Sequence, residues 1–216
     1  MIRMQACSSV CVPAFNTNSN LMNNDQVHSV FKQTGALLEG HFQLTSGLHS
    51  PQYFQCAKVL QYPAHTEMLC GSIADHFRSA QIDVVIAPAL GGIVVGQEVG
   101  RQLGARTLFA ERKENVMQLR RGFEIHSNER VLVCEDVVTT GGSVHEVIAI
   151  VKERGGLIAG VGYIVDRSGR KVKFDVLAGG TQFACMYMDV VTYEPDKCPL
   201  CRSGSPVVKP GSRATK

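Results

Sequence analysis

No stretch of the 216 residues holds the ~18 consecutive apolar residues a membrane-crossing helix needs, so no helical membrane span is expected. The first 22 residues contain one Arg and no acid. They lack the sustained apolar segment of a secretory signal, and a single Arg is too few for a transit peptide. Hydrophobic residues make up 44% and charged residues 19%, which excludes a wholly disordered chain of low hydrophobicity and high net charge. No internal repeat is visible. A basic stripe on a folded face, the footprint of a nucleic-acid binder, is missing as well. The net charge of +3 is a property of the C-terminus, where Lys197, Arg202, Lys209, Arg213 and Lys216 stand with no acid. That tail, at +5, leaves the rest of the chain at −2.

Glycine is plentiful: 21 residues, several in pairs such as Gly91-Gly92 and Gly141-Gly142. Paired glycines allow sharp turns and close backbone approach to a ligand. Of the eight cysteines, Cys7, Cys11, Cys56, Cys70, Cys134 and Cys185 are scattered singletons. Without a secretory signal they fit a reducing compartment, and the cytoplasm is the expected location. Only Cys198-Pro-Leu-Cys201 has metal or redox spacing. It is half of a zinc knuckle, because a structural zinc site takes four ligands and no second pair or His follows it. A two-Cys tail motif, a zinc shared across a dimer and a labile disulfide all remain open. His126 and His145 lack spaced partners and read as non-ligands.

The length suits one domain with appendages. Residues 1–22, rich in Ser and Asn, read as a disordered leader, residues 23–196 as the domain, and 197–216 as a basic tail. Val27, Val30 and Phe31 have helical spacing. Residues 40–47 alternate like a strand, residues 52–60 form a second extended candidate, and Pro63 opens a helix. From residue 82 the texture changes to buried apolar strands alternating with helices: strands at 82–87, 107–110, 131–134 and 157–165, with helices at 93–103 and 144–154. A hairpin is expected around Arg120-Arg121-Gly122, and short strands near 174–178 and 183–191. This alternation predicts βαβ units around a parallel sheet covered on both faces.

The strongest chemical signal is Val131-Leu132-Val133-Cys134-Glu135-Asp136-Val137-Val138-Thr139-Thr140-Gly141-Gly142-Ser143. A buried strand delivers two carboxylates to its carboxyl end, where open α/β sheets bind ligands. A hydroxyl- and glycine-rich loop then enters a helix, whose first N–H groups and dipole favour a phosphate. The loop is neither a Walker A loop nor a GxGxxG turn. Glu135 and Asp136 would repel a phosphate but suit sugar hydroxyls or a hard cation such as Mg²⁺. Together they describe a ribose phosphate. Pro88-Ala89-Leu90-Gly91-Gly92, between a strand and a helix, is a second anion candidate. Arg112 and Lys113 alone read equally well as a solvated face. Arg167 is either a surface partner of Asp166 or a bidentate reader of a carboxylate.

The Val131–Ser143 segment closely resembles the phosphoribosyl-diphosphate motif of type I phosphoribosyltransferases. The wider chain, roughly residues 27–213, resembles the orotate phosphoribosyltransferase branch. That likeness is carried by Leu37–Phe42 with Thr45-Ser46-Gly47-Leu48-His49-Ser50-Pro51, by Asp166-Arg167-Ser168-Gly169, and by the Cys198–Cys201 and Lys209–Arg213 ends. The resemblance implies a mostly parallel five-stranded α/β sheet flanked by helices, with a small hood built from the N-terminal segment and later strands. It implies Mg²⁺-dependent transfer of phosphoribosyl from 5-phosphoribosyl 1-diphosphate to orotate, a step of pyrimidine biosynthesis, by a homodimer with no nucleic-acid or membrane partner. Lys113, Arg112, Asp136 and Glu135 would be catalytic. Residues Glu135, Asp136, Val137, Val138, Thr139, Thr140, Gly141, Gly142 and Ser143, with Arg112 and Lys113, would hold the sugar diphosphate. Thr139, Arg167, Tyr53 and Phe54 would hold orotate. The metal would come with the diphosphate, near Asp136, without a dedicated protein ligand set.

The chain departs from the family pattern in places. After Arg112-Lys113 it has Asn115-Val116-Met117-Gln118 where the common bacterial form has another Lys and a His in a mobile loop, and Arg120 and Arg121 are the cations that would compensate. Thr45 and Leu90-Gly91 stand where relatives often have Lys and Tyr-Lys. A purine phosphoribosyltransferase and a non-catalytic sensor of the sugar diphosphate stay as alternatives. A DNA-binding sensor would need an additional helical module, for which residues 1–22 are too short and polar.

Overall fold

The computed structural model describes residues 22–44, 46–188 and 191–210. The expected leader, apart from Met22, and Thr45, Arg213 and Lys216 lie outside them. Helix α1 (Asn24–Gln33) starts at a reciprocal cap, in which the Asn23 side chain accepts from the Gln26 N–H and the Gln26 side chain accepts from the Asn23 N–H, both at 2.9 Å. This arrangement satisfies two of the donors a helix start leaves open. Its Val27, Val30 and Phe31 are buried. A hairpin of β1 (Leu37–Gln43) and β2 (His49–Phe54) follows as a separate two-stranded sheet. Residues 57–60, expected to be extended, instead coil as the short helix α2 (Ala57–Leu60), and α3 (Pro63–Phe77) opens on Pro63 as expected.

The main body is β3 (Val84–Pro88), α4 (Gly91–Leu103), β4 (Arg106–Lys113), β5 (Val116–Leu119), β6 (Arg130–Val138), α5 (Gly142–Glu153), β7 (Leu157–Asp166) and β8 (Thr181–Tyr187). The short helix α6 (Pro199–Arg202) lies in the tail. The sheet runs β5-β4-β3-β6-β7-β8. It therefore has six strands rather than the expected five: five are mutually parallel, and β5 is an added antiparallel edge. The extra strand arises because the chain reverses at Glu114-Asn115, both with positive φ, and pairs β5 back onto β4. Positive φ at both central residues is the signature of a two-residue hairpin turn. The Arg120–Gly122 turn also forms, with Arg121 and Gly122 at positive φ and the Phe123 N–H donating to the Arg120 carbonyl at 3.1 Å, but it lies beyond the hairpin.

Both faces of the sheet are covered, and the strands show it residue by residue. Val85, Ala87, Leu132 and Cys134 pack with α1, α3 and α4, while Val84, Ile86, Val131 and Val133 pack with α5. A strand buried on both sides has no polar face, which is why these segments read as continuous apolar runs. Residues 174–178 form no strand; Phe174 instead turns inward against Tyr163 and His145. The hood differs from expectation too. Its hairpin is joined not by later strands of the main sheet but by isolated bridges from the tail, Phe42 to Val208 and His49 to Tyr193. Cys56, Cys70, Cys134 and Cys185 are buried free thiols. Burial pushes Cys185 up to about 12, so it is packing, not a nucleophile. Among the described residues, no helix is long and apolar enough to cross a membrane.

Candidate active site

The carboxyl end of β6 carries Glu135, which is buried, and Asp136, which is half-buried. The strand continues through both acids to Val138, where a loop was expected from residue 135. Val137 packs against the α4 side of the core and Val138 is buried. The Asp136 N–H donates to Glu135 Oε1 at 3.0 Å, and the Val137 N–H donates to Asp136 Oδ1 at 2.8 Å. Both carboxylates lean toward the start of α4. A Cβ added at Gly91 would sit 2.2 Å from Asp136 Oδ2, and one at Gly92 would sit 3.0 Å from Glu135 Oε1. Glycine at 91 is therefore the condition for an acid and a helix N-terminus to share one small space. Burial pushes the Asp136 carboxyl above its ordinary value, as expected for a charge without a full set of solvating partners.

Thr139 and Thr140 are exposed, and the loop they open enters α5 through Gly141 at φ 74°. A side chain at Gly141 would also strike Val172 Cγ1 at 2.7 Å. No side chain caps α5, and its first turn holds no acid. Its leading N–H groups, with Thr139, Thr140, Gly142 and Ser143 around them, are thus a donor set that matches a phosphate. The Pro88–Gly92 turn lies one strand away, and its Leu90 is 76% exposed.

Arg167 follows β7, and its N–H donates to the Val138 carbonyl at 2.8 Å. That bond places it beside the entrance to the phosphate loop. Its supposed partner Asp166 is fully buried and engaged elsewhere: it accepts from the N–H and the hydroxyl of Ser168, both at 2.7 Å. The Arg167 guanidinium is left with Nε and Nη2 buried and without a hydrogen-bond partner among the described residues. It lies over the Phe54 ring, 5.5 Å from its centroid. Tyr53 is within electrostatic reach of both Arg167 and Asp136, although burial is the main cause of its raised pKa. Burial pulls Arg167 below its ordinary value, yet an Arg stays protonated. Unsatisfied buried donors are rare in native proteins, and these face a ring suited to stacking.

The hairpin cations are arranged differently. Arg112 is held by Glu146 in the second turn of α5, at 2.5 Å, and donates to the Asn115 carbonyl at 2.9 Å. Arg120 and Arg121 both pair with Glu111, at 3.2 and 2.8 Å. Lys113 is exposed at the turn, with no ion pair among the described residues. Where the family pattern has a mobile loop after Arg112-Lys113, the chain makes the tight turn at Glu114-Asn115. The fold thus brings Glu135, Asp136, residues 139–143, Arg167, Tyr53 and Phe54 to one end of the sheet, while Arg112 is tied to the flank of α5. Glu146 escaped the sequence reading. An isolated acid one turn beyond a phosphate loop gives no signal until β4 and β5 fold against α5.

A strand-end acid pair, an uncapped helix start and a guanidinium with two buried donors unpartnered among the described residues thus meet at the carboxyl end of a parallel sheet. The family model described as the phosphoribosyl transferase domain matches residues 59–178, and the chain belongs to that family. It is 58% identical over 193 residues to an orotate phosphoribosyltransferase of Chlorobaculum parvum, covering 89% of this chain and 98% of that one. It is 55% identical over 192 residues to the orotate phosphoribosyltransferase of Caldicellulosiruptor bescii, covering 89% and 99%. Within the family, it stands with the orotate phosphoribosyltransferases. Among solved structures, that of orotate phosphoribosyltransferase from Aeropyrum pernix matches with a TM-score of 0.63 at 22% identity, over 75% of this chain and 93% of that one. Adenine phosphoribosyltransferase from Rhodothermus marinus matches with 0.61 at 18%, over 76% and 100%. At such identities these two matches speak for the fold alone.

Proposed function

We propose that this site transfers the 5-phosphoribosyl group of 5-phosphoribosyl 1-diphosphate to orotate, forming orotidine 5′-phosphate and diphosphate for pyrimidine synthesis. The observation that carries the choice of acceptor is Arg167, whose buried Nε and Nη2 have no hydrogen-bond partner among the described residues and whose guanidinium lies over Phe54. A planar base bearing a carboxylate satisfies both features at once. The ring stacks, and the carboxylate takes the guanidinium fork that an ammonium could not supply. A purine has no such carboxylate and would leave the fork unpaired.

The remaining residues divide the sugar diphosphate between them. The amides of the 139–143 loop and the α5 N-terminus hold the 5′-phosphate, with Thr139 also adjoining the acceptor. Glu135 and Asp136 accept from the ribose hydroxyls and bear on the positive charge that grows on the sugar as the C1–O bond breaks. The orotate ring nitrogen then closes the new bond at C1. The backbone of the Pro88–Gly92 turn and the Lys113 ammonium face the departing diphosphate. Stabilising charge that appears only in the transition state lowers the barrier directly. The donor set fits Mg²⁺: two hard carboxylates, with Asp136 pushed up in pKa by burial and so favoured by a neighbouring cation. When bound with the diphosphate near Asp136, Mg²⁺ would screen the charge of the leaving group. A homodimer and a cytoplasmic location belong to the same reading, by analogy with the family and with the scattered free thiols.

The test is acceptor choice. Diphosphate release is measured from the sugar diphosphate with orotate, uracil, adenine and hypoxanthine. Release with orotate, and far less with the others, is expected; release with a purine and not with orotate would overturn the assignment.

A further inference from the structure

The hood hairpin and the tail meet at four side chains that the transfer reaction does not use. His41 on β1, His49 on β2, and Cys198 and Cys201 around α6 bring one ligand atom each to within 4.8 Å of all the others. His41, His49 and Cys198 are buried, and Cys201 reaches solvent. His41 Nε2 lies 2.9 Å from His49 Nδ1, 3.6 Å from Cys198 Sγ and 3.7 Å from Cys201 Sγ. Cys201 Sγ is 3.2 Å from His49 Nδ1. A tetrahedron with Zn–N near 2.0–2.1 Å and Zn–S near 2.3 Å has edges of about 3.4 Å between nitrogens and about 3.6 Å between nitrogen and sulfur. The three nitrogen–sulfur spacings lie within about 0.4 Å of that edge, the nitrogen pair is about 0.5 Å shorter than its own, and no two of the four ligand atoms are more than 4.8 Å apart.

A second, independent feature sets the protonation. His41 Nδ1 is 2.8 Å from the Ser205 carbonyl, which can only accept, so Nδ1 carries the proton. Nε2 is then the nitrogen that faces His49, Cys198 and Cys201. A ligand histidine whose second nitrogen is fixed by a carbonyl is the usual outer-shell arrangement of metal sites. The pairing brings the histidines close along the chain: Gln43 opposes His49, and His41 stands two residues before Gln43, within the register irregularity between Glu39 and Phe42, and the two imidazole rings meet edge-on with centroids 4.8 Å apart.

We propose that His41, His49, Cys198 and Cys201 form a closed structural Zn²⁺ site within a single chain. Two imidazoles and two thiolates suit a borderline-soft ion and exclude the hard cations, which take oxygen. With four protein ligands no coordination position is left for substrate, so the role is structural. The site locks the tail to the hood. Val208 already bridges there, its N–H donating to the His41 carbonyl at 2.8 Å and its carbonyl accepting from Gln43 at 2.9 Å. The same hairpin carries Tyr53 and Phe54, so the metal would steady the acceptor side of the active site from its far end. The half-knuckle seen in the sequence is completed by residues some 150 positions earlier.

The experiment measures metal in the full-length, untagged protein purified without chelator. Elemental analysis should find about one Zn²⁺ per chain, released when an organomercurial titrates the thiols. Co²⁺ exchanged into the site should give the intense visible bands of a tetrahedral thiolate complex. Cys201→Ser and His49→Ala should each lose most of the bound metal and lower Tm. In case these variants fold poorly, chelator-stripped wild-type protein should regain its Tm on adding Zn²⁺ but not Mg²⁺. Wild-type protein that is metal-free as isolated and takes up no Zn²⁺ against a chromophoric chelator would overturn the proposal. A Cys198–Cys201 disulfide in freshly purified protein would overturn it equally.

Discussion

Arg167 at the end of β7 and Arg112 at the end of β4 are both arginines at the carboxyl end of a sheet strand, and the fold treats their charge in opposite ways. Arg167 is half-buried, its neighbour Asp166 is engaged by Ser168, and its buried Nε and Nη2 have no hydrogen-bond partner among the described residues. Arg112 is tied to Glu146, and nearby Arg120 and Arg121 share Glu111. Desolvating a cation without a partner is unfavourable, so a fold that keeps one in that state depends on an arriving anion to complete it. The hairpin pairs are solvent-facing, and such pairs contribute little and exchange readily. On the proposed reading, the first region would supply acceptor specificity through its unsatisfied charge, and the second would release its charges only to a competing anion.

Removing the unsatisfied charge should have the largest effect. Arg167→Ala is expected to weaken orotate binding by about 2–5 kcal/mol, the range for truncating one partner of a buried charge pair. Binding of the sugar diphosphate should change little. Discrimination between orotate and uracil, which lacks the carboxylate, should shrink by a similar amount, and Arg167→Lys should recover only part of it. Calorimetric titration of the three proteins checks this. Loss of sugar-diphosphate affinity with orotate binding intact would move Arg167 to the phosphate site and undo the contrast.

Asp136 sharpens the comparison from the anionic side, since it too is a charge held under burial. Hydrogen bonds to charged groups contribute about 1.5–3 kcal/mol, so Asp136→Asn should lower turnover on the order of ten- to a hundredfold. Stability should move the other way. Burial raises the folded-state pKa above the ordinary 3.8, so the folded protein binds this proton more tightly than the unfolded chain. The ionised carboxylate therefore destabilises the fold above the folded pKa, and that penalty disappears below 3.8. The Asn variant should melt higher than the parent at neutral pH and lose that advantage in acid. A lower Tm at neutral pH would show that the carboxylate is structurally paired.

How much of this was legible depended on how far apart the participating residues lie. The β6–α5 segment could be read because one short stretch holds the buried strand, both acids and the glycine that turns into the helix. Arg167 could be placed, but whether Asp166 neutralises it turned on Ser168, two residues on, and only the folded loop decides that. Arg120-Arg121-Gly122 reads as a turn and is one, but the reversal that pairs β4 with β5 lies earlier, at Glu114-Asn115, where a side chain at each positive-φ position gives no turn signal. The sixth strand followed from that earlier reversal. Glu146 as the partner of Arg112 required β4, β5 and α5 to be assembled first. The histidines facing Cys198 and Cys201 lay too far upstream to be associated with a two-Cys motif.

Lys113 tests whether the hairpin contributes to chemistry at all. It stands at the turn without an ion pair among the described residues, so it is free to meet a charge that develops late. Lys113→Ala should reduce kcat on the order of tenfold while leaving KM for orotate nearly unchanged, the pattern of an interaction made in the transition state. Arg112→Ala should cost less, because its guanidinium must first leave Glu146. Glu146→Gln should then raise the contribution of Arg112, seen as a larger kcat loss for Arg112→Ala in that background. Equal losses in both backgrounds would show that the Glu146 pair does not restrain Arg112.

The smallest effect is expected at Arg121, and its smallness is informative. Arg121 and Arg120 share the single carboxylate of Glu111, and the Arg121 hydrogen bond pulls that carboxyl below its ordinary pKa. Removing Arg121 leaves Arg120 to hold Glu111, so the base of the hairpin keeps one of its two ties. Arg121→Ala should therefore change turnover by no more than about twofold, as surface substitutions away from a site do. Its Tm should match the parent at high salt, where exposed pairs are screened. If Arg121→Ala instead lowers kcat as far as Lys113→Ala does, the pair with Glu111 is a resting state from which Arg121 is released to the departing diphosphate. The hairpin would then belong with Arg167 among the charges held for the ligand.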